Sequence, residues 1–222
     1  MTIAELRQMV AEGESLHLEL KRKIAHPEKV VREIVAFANT KGGTLLVGVE
    51  DNLAIPGLSN PDEDEYLLDK AIAELCSPAI AYKRKRIPIG GERTVLVYTI
   101  PEGLEKPYYV ADAPEPKAYF RVADKSIQAS RELRQVLKQG KREKEYKFGF
   151  GDKEKVLFAA LERQRKVTVN DFMTLADVDR RHASRTLVLL CLVGILRIEP
   201  GEREDYFCMD RTRDLPSYQP KL

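Results

Sequence analysis

From Leu16 to Lys21 the chain alternates without a break: Leu16, Leu18 and Leu20 fall on one side, and His17, Glu19 and Lys21 on the other. That period of two predicts a half-buried strand with a polar outer face. Upstream, Ile3, Leu6, Met9 and Val10 recur at helical spacing, Thr2 with Glu5 forms a capping-box pattern, and Gly13 suits a helix stop. In "HPEKVVREIVAFANTKGG", Pro27 fits a first helical turn, Val30, Val31, Ile34, Phe37 and Ala38 make an apolar stripe, and Gly42 and Gly43 end it. "TLLVGVED" then reads as a buried strand. A strand, a helix and a strand thus fill the first fifty residues.

An acidic "DEDE" precedes the helix "YLLDKAIAELC", where the macrodipole favours negative charge. "AIAYKRKRIPIGGERTVLVYTI" reads as two strands around Gly90 and Gly91, and "KAYFRVADKSIQAS" as a strand and a polar bend. The run from Arg131 to Lys147 has the alternating charge of an exposed helix. Beyond the glycines near 149–151 a second unit begins. It has a helix with Val156, Leu157, Ala160 and Leu161 inward, a short "VTV", a brief helix from "NDFMTLAD", a helix capped by Asp179, and the strands "GILRIE" and "DYFCM". Three helices and a terminal hairpin are the order of a winged helix. The expected divisions are a domain at 1–140, a basic linker at 141–151, a winged helix-turn-helix domain at 152–215 and a tail at 216–222.

With 222 residues, 43% hydrophobic and 32% charged, the chain can bury one large core or one medium and one small core. A formal net charge of +2 gives no global basic field, so any nucleic-acid contact must come from local clusters. Cys76, Cys191 and Cys208 fit neither a zinc ribbon nor a disulfide framework and are expected to be reduced. The start lacks the basic and apolar regions of a signal peptide, and no apolar run approaches the ~20 residues that span a bilayer. The expectation is a cytoplasmic protein that does not contact membranes.

Candidate chemistry lies in the acids. If the two N-terminal strands are neighbours, Glu19 and Asp51 could converge, with Glu14 arriving from the preceding turn. Close carboxylates repel, and such a group persists when a divalent or neighbouring cation compensates. Three carboxylates around Mg²⁺ or Mn²⁺, with Lys21 facing the developing charge, would suit phosphodiester hydrolysis. Surface salt bridges are the alternative. Among the cations, Lys83, Arg84, Lys85 and Arg86 put two charges on each face of a strand, for nucleic acid or for edge protection. Arg180, Arg181 and Arg185 crowd the start of the last predicted helix, where a recognition helix enters a major groove or a solvated face meets a protein.

"ESLHLELK", "AFANTKGGTLLVGVEDN" and Gly57, followed by "KPYYV" and "YFRVADKSIQAS", resemble the Schlafen family's AlbA-like domain over roughly residues 1–140. The resemblance implies an α+β protein: a mixed α/β Schlafen/AlbA-like N-terminal domain followed by a small winged-helix domain. It implies catalytic acids at Glu14, Glu19 and Asp51, the lysine of the Glu-x-Lys signature at Lys21, and a nucleic-acid role for Arg121 in the later strand. It also implies RNA or DNA as partner and a homodimer, because family nucleases use two copies of the domain. Here the family's Arg-x-Gly-Ser is replaced by "RVADKS", with Ala123 and Asp124 in place of the glycine.

The leading expectation is a nucleic-acid-binding protein, acting if catalytic as a metal-dependent endoribonuclease on structured RNA such as tRNA. The rival is a non-catalytic regulator whose winged helix reads DNA and whose first domain senses a ligand or dimerises. ATP binding is a weaker reading, since "NTKGG" lacks the Lys-Ser/Thr of a P-loop.

Overall fold

A computed structural model of the chain describes residues 1–111, 115–139 and 149–211. Residues 141–148 of the expected linker, the end of the expected winged-helix span and the tail at 216–222 lie outside the described residues. The described elements are mixed α+β and divide into two compact units, Met1–Ala129 and the residues from Ser130 onward.

In the first unit α1 (Ile3–Glu12) is closed by the expected box: the Glu5 N–H donates to Thr2 Oγ1 at 3.2 Å, and the Thr2 N–H to Glu5 Oε2 at 2.7 Å. Gly13, at φ 75°, turns the chain out of the helix. β1 (Leu18–Lys21), α2 (Pro27–Asn39) and β2 (Gly43–Val47) follow, and β1 pairs parallel with β2, with Glu19 opposite Leu45. Next come α3 (Pro61–Leu75), β3 (Cys76–Ser77), β4 (Lys83–Gly90) and β5 (Arg93–Ile100). β6 (Tyr109–Val110), β7 (Tyr119–Val122) and β8 (Lys125–Gln128) complete the unit. The main sheet runs β1-β2-β5-β4 with β5 antiparallel to both neighbours, β3 pairs with β6, and β7 and β8 form a hairpin.

Both faces of the main sheet are covered. Leu18, Leu20 and Leu46 pack with Leu6 and Val10 of α1, while Leu45, Val47 and Leu96 pack with Ile34 and Phe37 of α2. The expected polar outer face of β1 is therefore an inner one: Glu19, opposite in pleat to Leu18 and Leu20, is 5% exposed. Alternation identified the two faces but not what covers the second.

In the second unit α4 (Arg131–Gln139) and α5 (Asp152–Gln164) precede β9 (Lys166–Val167), α6 (Val169–Ala176), α7 (Arg180–Leu192), β10 (Leu196–Glu199) and β11 (Tyr206–Met209). The strands form an antiparallel sheet of order β10-β11-β9. Its core joins Leu157, Leu161, Phe172, Leu187, Leu190 and Phe207. Val156, expected inward, is 38% exposed, while its neighbours Leu157 and Leu161 carry the buried stripe. The units part at Ala129 and Ser130 rather than near residue 140. The reason is α4, which buries Glu132 and Leu133 and packs beside α7, where the Ser184 hydroxyl donates to Glu132 Oε1 at 2.6 Å.

Candidate functional site

β1 places Glu19 and Lys21 on the same side, and the Lys21 ammonium donates to Glu19 Oε1. The other oxygen, Oε2, accepts from Arg121 Nη1 of β7 at 2.8 Å. That same nitrogen donates at 2.8 Å to Glu33 Oε2 of α2, which also accepts from the Ser126 hydroxyl of β8. Arg121 Nη2 donates to the carbonyl oxygen of Ser15, and the guanidinium carbon lies 4.9 Å from the centre of the Phe37 ring. Glu14 approaches from the turn before β1, where its Oε1 accepts the Leu20 N–H at 3.1 Å and stands 4.0 Å from Lys21 Nζ. Three carboxylates thus surround two cations in one cluster, with Arg121 at its buried end and Glu14 with Lys21 at its open end.

The electrostatics follow from this geometry. Burial raises the Glu14 carboxyl above the ordinary carboxylate value, against the pull of the Leu20 N–H, and the charges of Glu19 and Asp51 add to the rise. Burial and then Glu19 raise Glu33 in the same way. Lys21 is opposed by burial, but Glu19, Glu14 and Glu33 outweigh it and hold the ammonium above its usual value.

Of the four residues expected at a catalytic centre, Glu14, Glu19 and Lys21 are brought together. Asp51 sits in the exposed turn after β2, close enough to influence Glu14 by its charge. The expected Mg²⁺ or Mn²⁺ ligand set is not formed: among the described residues no three His, Cys, Asp or Glu side chains are placed to hold a metal ion. Both Glu19 oxygens accept hydrogen bonds from cations of the chain itself, Lys21 and Arg121. The donor set as folded does not fit the metal. Glu33 was missed from sequence. Its signal was a carboxylate four residues before Phe37, one helical turn away and bordering the apolar stripe of α2.

The cations expected to bind nucleic acid separate into two groups. β4 is an edge strand, and Arg84 donates to Asp69 and pairs with Glu65 at 2.8 Å, while Arg86 pairs with Glu65 at 2.8 Å and Asp62 at 2.6 Å. Lys85 Nζ donates to the Met1 carbonyl oxygen at 3.1 Å, and Lys83 is exposed at the strand's start. The acids of "DEDE" serve this strand as well as the first turn of α3. Arg121 is 2% exposed and belongs to the carboxylate cluster, so it presents no surface to a phosphate. On α7, Asp179 caps the helix by accepting the His182 N–H at 2.9 Å, and Arg180 reaches Asn170 Oδ1 at 3.1 Å. Arg181 and Arg185 are exposed and make no side-chain ion pair among the described residues, although the Asp179 carboxylate at the helix start lies close enough to interact with the charge of Arg181.

The family model described as Schlafen, AlbA_2 matches residues 14–130, more than half of the chain. The chain belongs to the Schlafen AlbA_2 family. Its matched span ends where the first compact unit ends. Membership supports a nucleic-acid-related function. Among solved structures, the N-terminal domain of a RecG-related protein from Nitrosomonas europaea is similar at 24% identity over 68% of this chain and 99% of its own, with a TM-score of 0.45. The DIP2311 protein from Corynebacterium diphtheriae is similar at 17% identity over 94% of this chain and 38% of its own, with a TM-score of 0.45. No curated protein matches the chain.

The Schlafen AlbA_2 residues "FANTKGG" have a mechanical part in this cluster. Asn39 Nδ2 donates at 2.9 Å to the carbonyl oxygens of Tyr108 and Tyr119, and its Oδ1 accepts the Tyr108 N–H at 2.7 Å. Thr40 Oγ1 accepts the Arg121 N–H at 2.9 Å. A Cβ on Gly43 would lie 2.2 Å from the Phe37 ring, so glycine there lets β2 close under α2. These contacts set β7, and with it Arg121, over Glu19.

Proposed function

We propose that this Schlafen AlbA_2 protein binds nucleic acid without cutting it, and that its second unit is a winged helix whose α7 meets duplex DNA. The order α5, β9, α6, α7, β10, β11 is the order of that module, with α7 in the place of the recognition helix. The observation that carries the reading is the pair Arg181 and Arg185. They are exposed on the first turns of α7 and make no side-chain ion pair among the described residues, whereas Arg84, Arg86 and Arg121 are paired with the protein's own acids. Free guanidinium groups at that end of a helix can bind phosphate or make paired hydrogen bonds to guanine.

In the first unit the acid cluster acts as a scaffold. Glu19, Glu33 and Arg121 tie β1, α2 and β7 together, which supports a structural use of the family's acids in this chain. The test incubates the full chain with labelled duplex DNA and with tRNA, in Mn²⁺ or EDTA, beside Glu19→Gln. Binding without cleavage in either buffer is the expected result. Metal-dependent cleavage that disappears in Glu19→Gln would replace this reading with the endoribonuclease.

A further inference from the structure

Between α4 and α7, inside the second unit, lies an open cleft of about 920 Å³. We propose that it binds a nucleotide carrying two or more phosphates. Four arginines line it: Arg131 from α4, and Arg180, Arg181 and Arg185 from α7. The one carboxylate in its wall, Glu132, is buried and accepts a hydrogen bond from Ser184, so it holds the two helices together, and one carboxylate against four arginines leaves an excess of positive charge there. Four guanidinium groups around one cavity repel each other and favour a polyanion between them.

The same wall changes character along α7. Arg181, Arg185, Val188, Leu189 and Leu192 recur at helical spacing and form one stripe. From Arg181 to Leu192 that stripe extends about 16 Å at ~1.5 Å per residue. Its first half suits phosphates and its second half an apolar ring system. A cavity of ~300–1,000 Å³ is the size of small-molecule sites. Gln135 on the α4 side offers an amide to a base edge.

The ligand site stands on the cleft itself. Its consequence for regulation rests on the DNA reading above, since Arg181 and Arg185 would serve both ligands and the nucleotide would displace DNA.

Calorimetry on the full chain tests it with ATP, GTP, inorganic tripolyphosphate and adenosine. The expected result is saturable binding of a nucleoside triphosphate, weaker binding of tripolyphosphate and none of adenosine. Arg185→Ala and, on the opposite wall, Arg131→Gln should each weaken the nucleotide by roughly tenfold, with melting of the free protein unchanged. No binding of either nucleotide would overturn the proposal, as would unchanged affinity in both variants. Tripolyphosphate binding as tightly as the nucleotide would also overturn it, since the site would then recognise a bare anion. A nucleotide that binds but fails to displace labelled duplex would refute the shared use of the arginines. Failure of duplex to bind at all would sink the DNA reading and leave the cleft to be decided by the calorimetry.

Discussion

A single nitrogen of Arg121, Nη1, lies 2.8 Å from an oxygen of Glu19 and 2.8 Å from an oxygen of Glu33. It joins β7 to β1 and to α2 at a point where Arg121 is 2% exposed and Glu19 5%. Removing Arg121 would leave buried carboxylate charge less compensated, with Glu19 keeping only Lys21 of its two cations.

Arg121→Ala should therefore cost about 3–5 kcal/mol of stability. Urea unfolding measures it, and a loss under about 1 kcal/mol, the usual worth of an exposed pair, would mean that the cluster does not hold the hairpin.

Glu14 and Glu33 should give the fold a distinct pH dependence. Burial first, with neighbouring acids adding, raises both above the ordinary 4.5. A carboxyl that is harder to ionise folded than unfolded contributes stability below its unfolded value and loses it as pH rises through the folded value. Stability should accordingly fall between pH 4.5 and neutrality, and Glu14→Gln should fall less steeply over the same window. Parallel curves for the two proteins in buffered urea titrations would contradict this.

The β7–β8 hairpin turns through Ala123 and Asp124, and Ala123 takes φ 54°. Two-residue hairpin turns favour glycine or asparagine at such angles, and a Cβ there costs ~1–2 kcal/mol. Ala123 is exposed, so Ala123→Gly should remove strain without opening a cavity. A gain of about 1 kcal/mol in the thermal or urea transition is expected, less the added flexibility of glycine in the unfolded chain.

The two sets of cations should behave oppositely toward DNA. Arg181→Ala or Arg185→Ala should weaken duplex binding and lower the slope of log affinity against log salt by about 1 for each phosphate left without its arginine. Arg84→Ala and Arg86→Ala should leave affinity unchanged within about twofold, because Glu65, Asp62 and Asp69 already neutralise them. Anisotropy titrations at several salt concentrations separate the two.

Much of the secondary structure was legible because its signals are local. The Thr2–Glu5 box, the Asp179 cap and the Gly13 stop act within four residues of the helix they bound, and the structure has each of them. The strand, helix and strand were read from the sequence, and the structure pairs β1 with β2 in parallel. The site was legible in part. Glu14, Glu19 and Lys21 stand within eight positions of one another, but Glu33, Arg121 and Ser126 reach the cluster from α2, β7 and β8.

By itself, the sequence determined the periodicities, the caps and the two faces of β1, since these depend on backbone geometry and near neighbours. Which face of β1 would be dry, which acids would neutralise Arg84 and Arg86, and which of the chain's own cations would meet the three carboxylates were decided by tertiary structure. Charge interactions weaken with separation and strengthen with burial. They therefore follow from what α2, α3 and β7 bring alongside, across separations of up to 102 residues between Glu19 and Arg121.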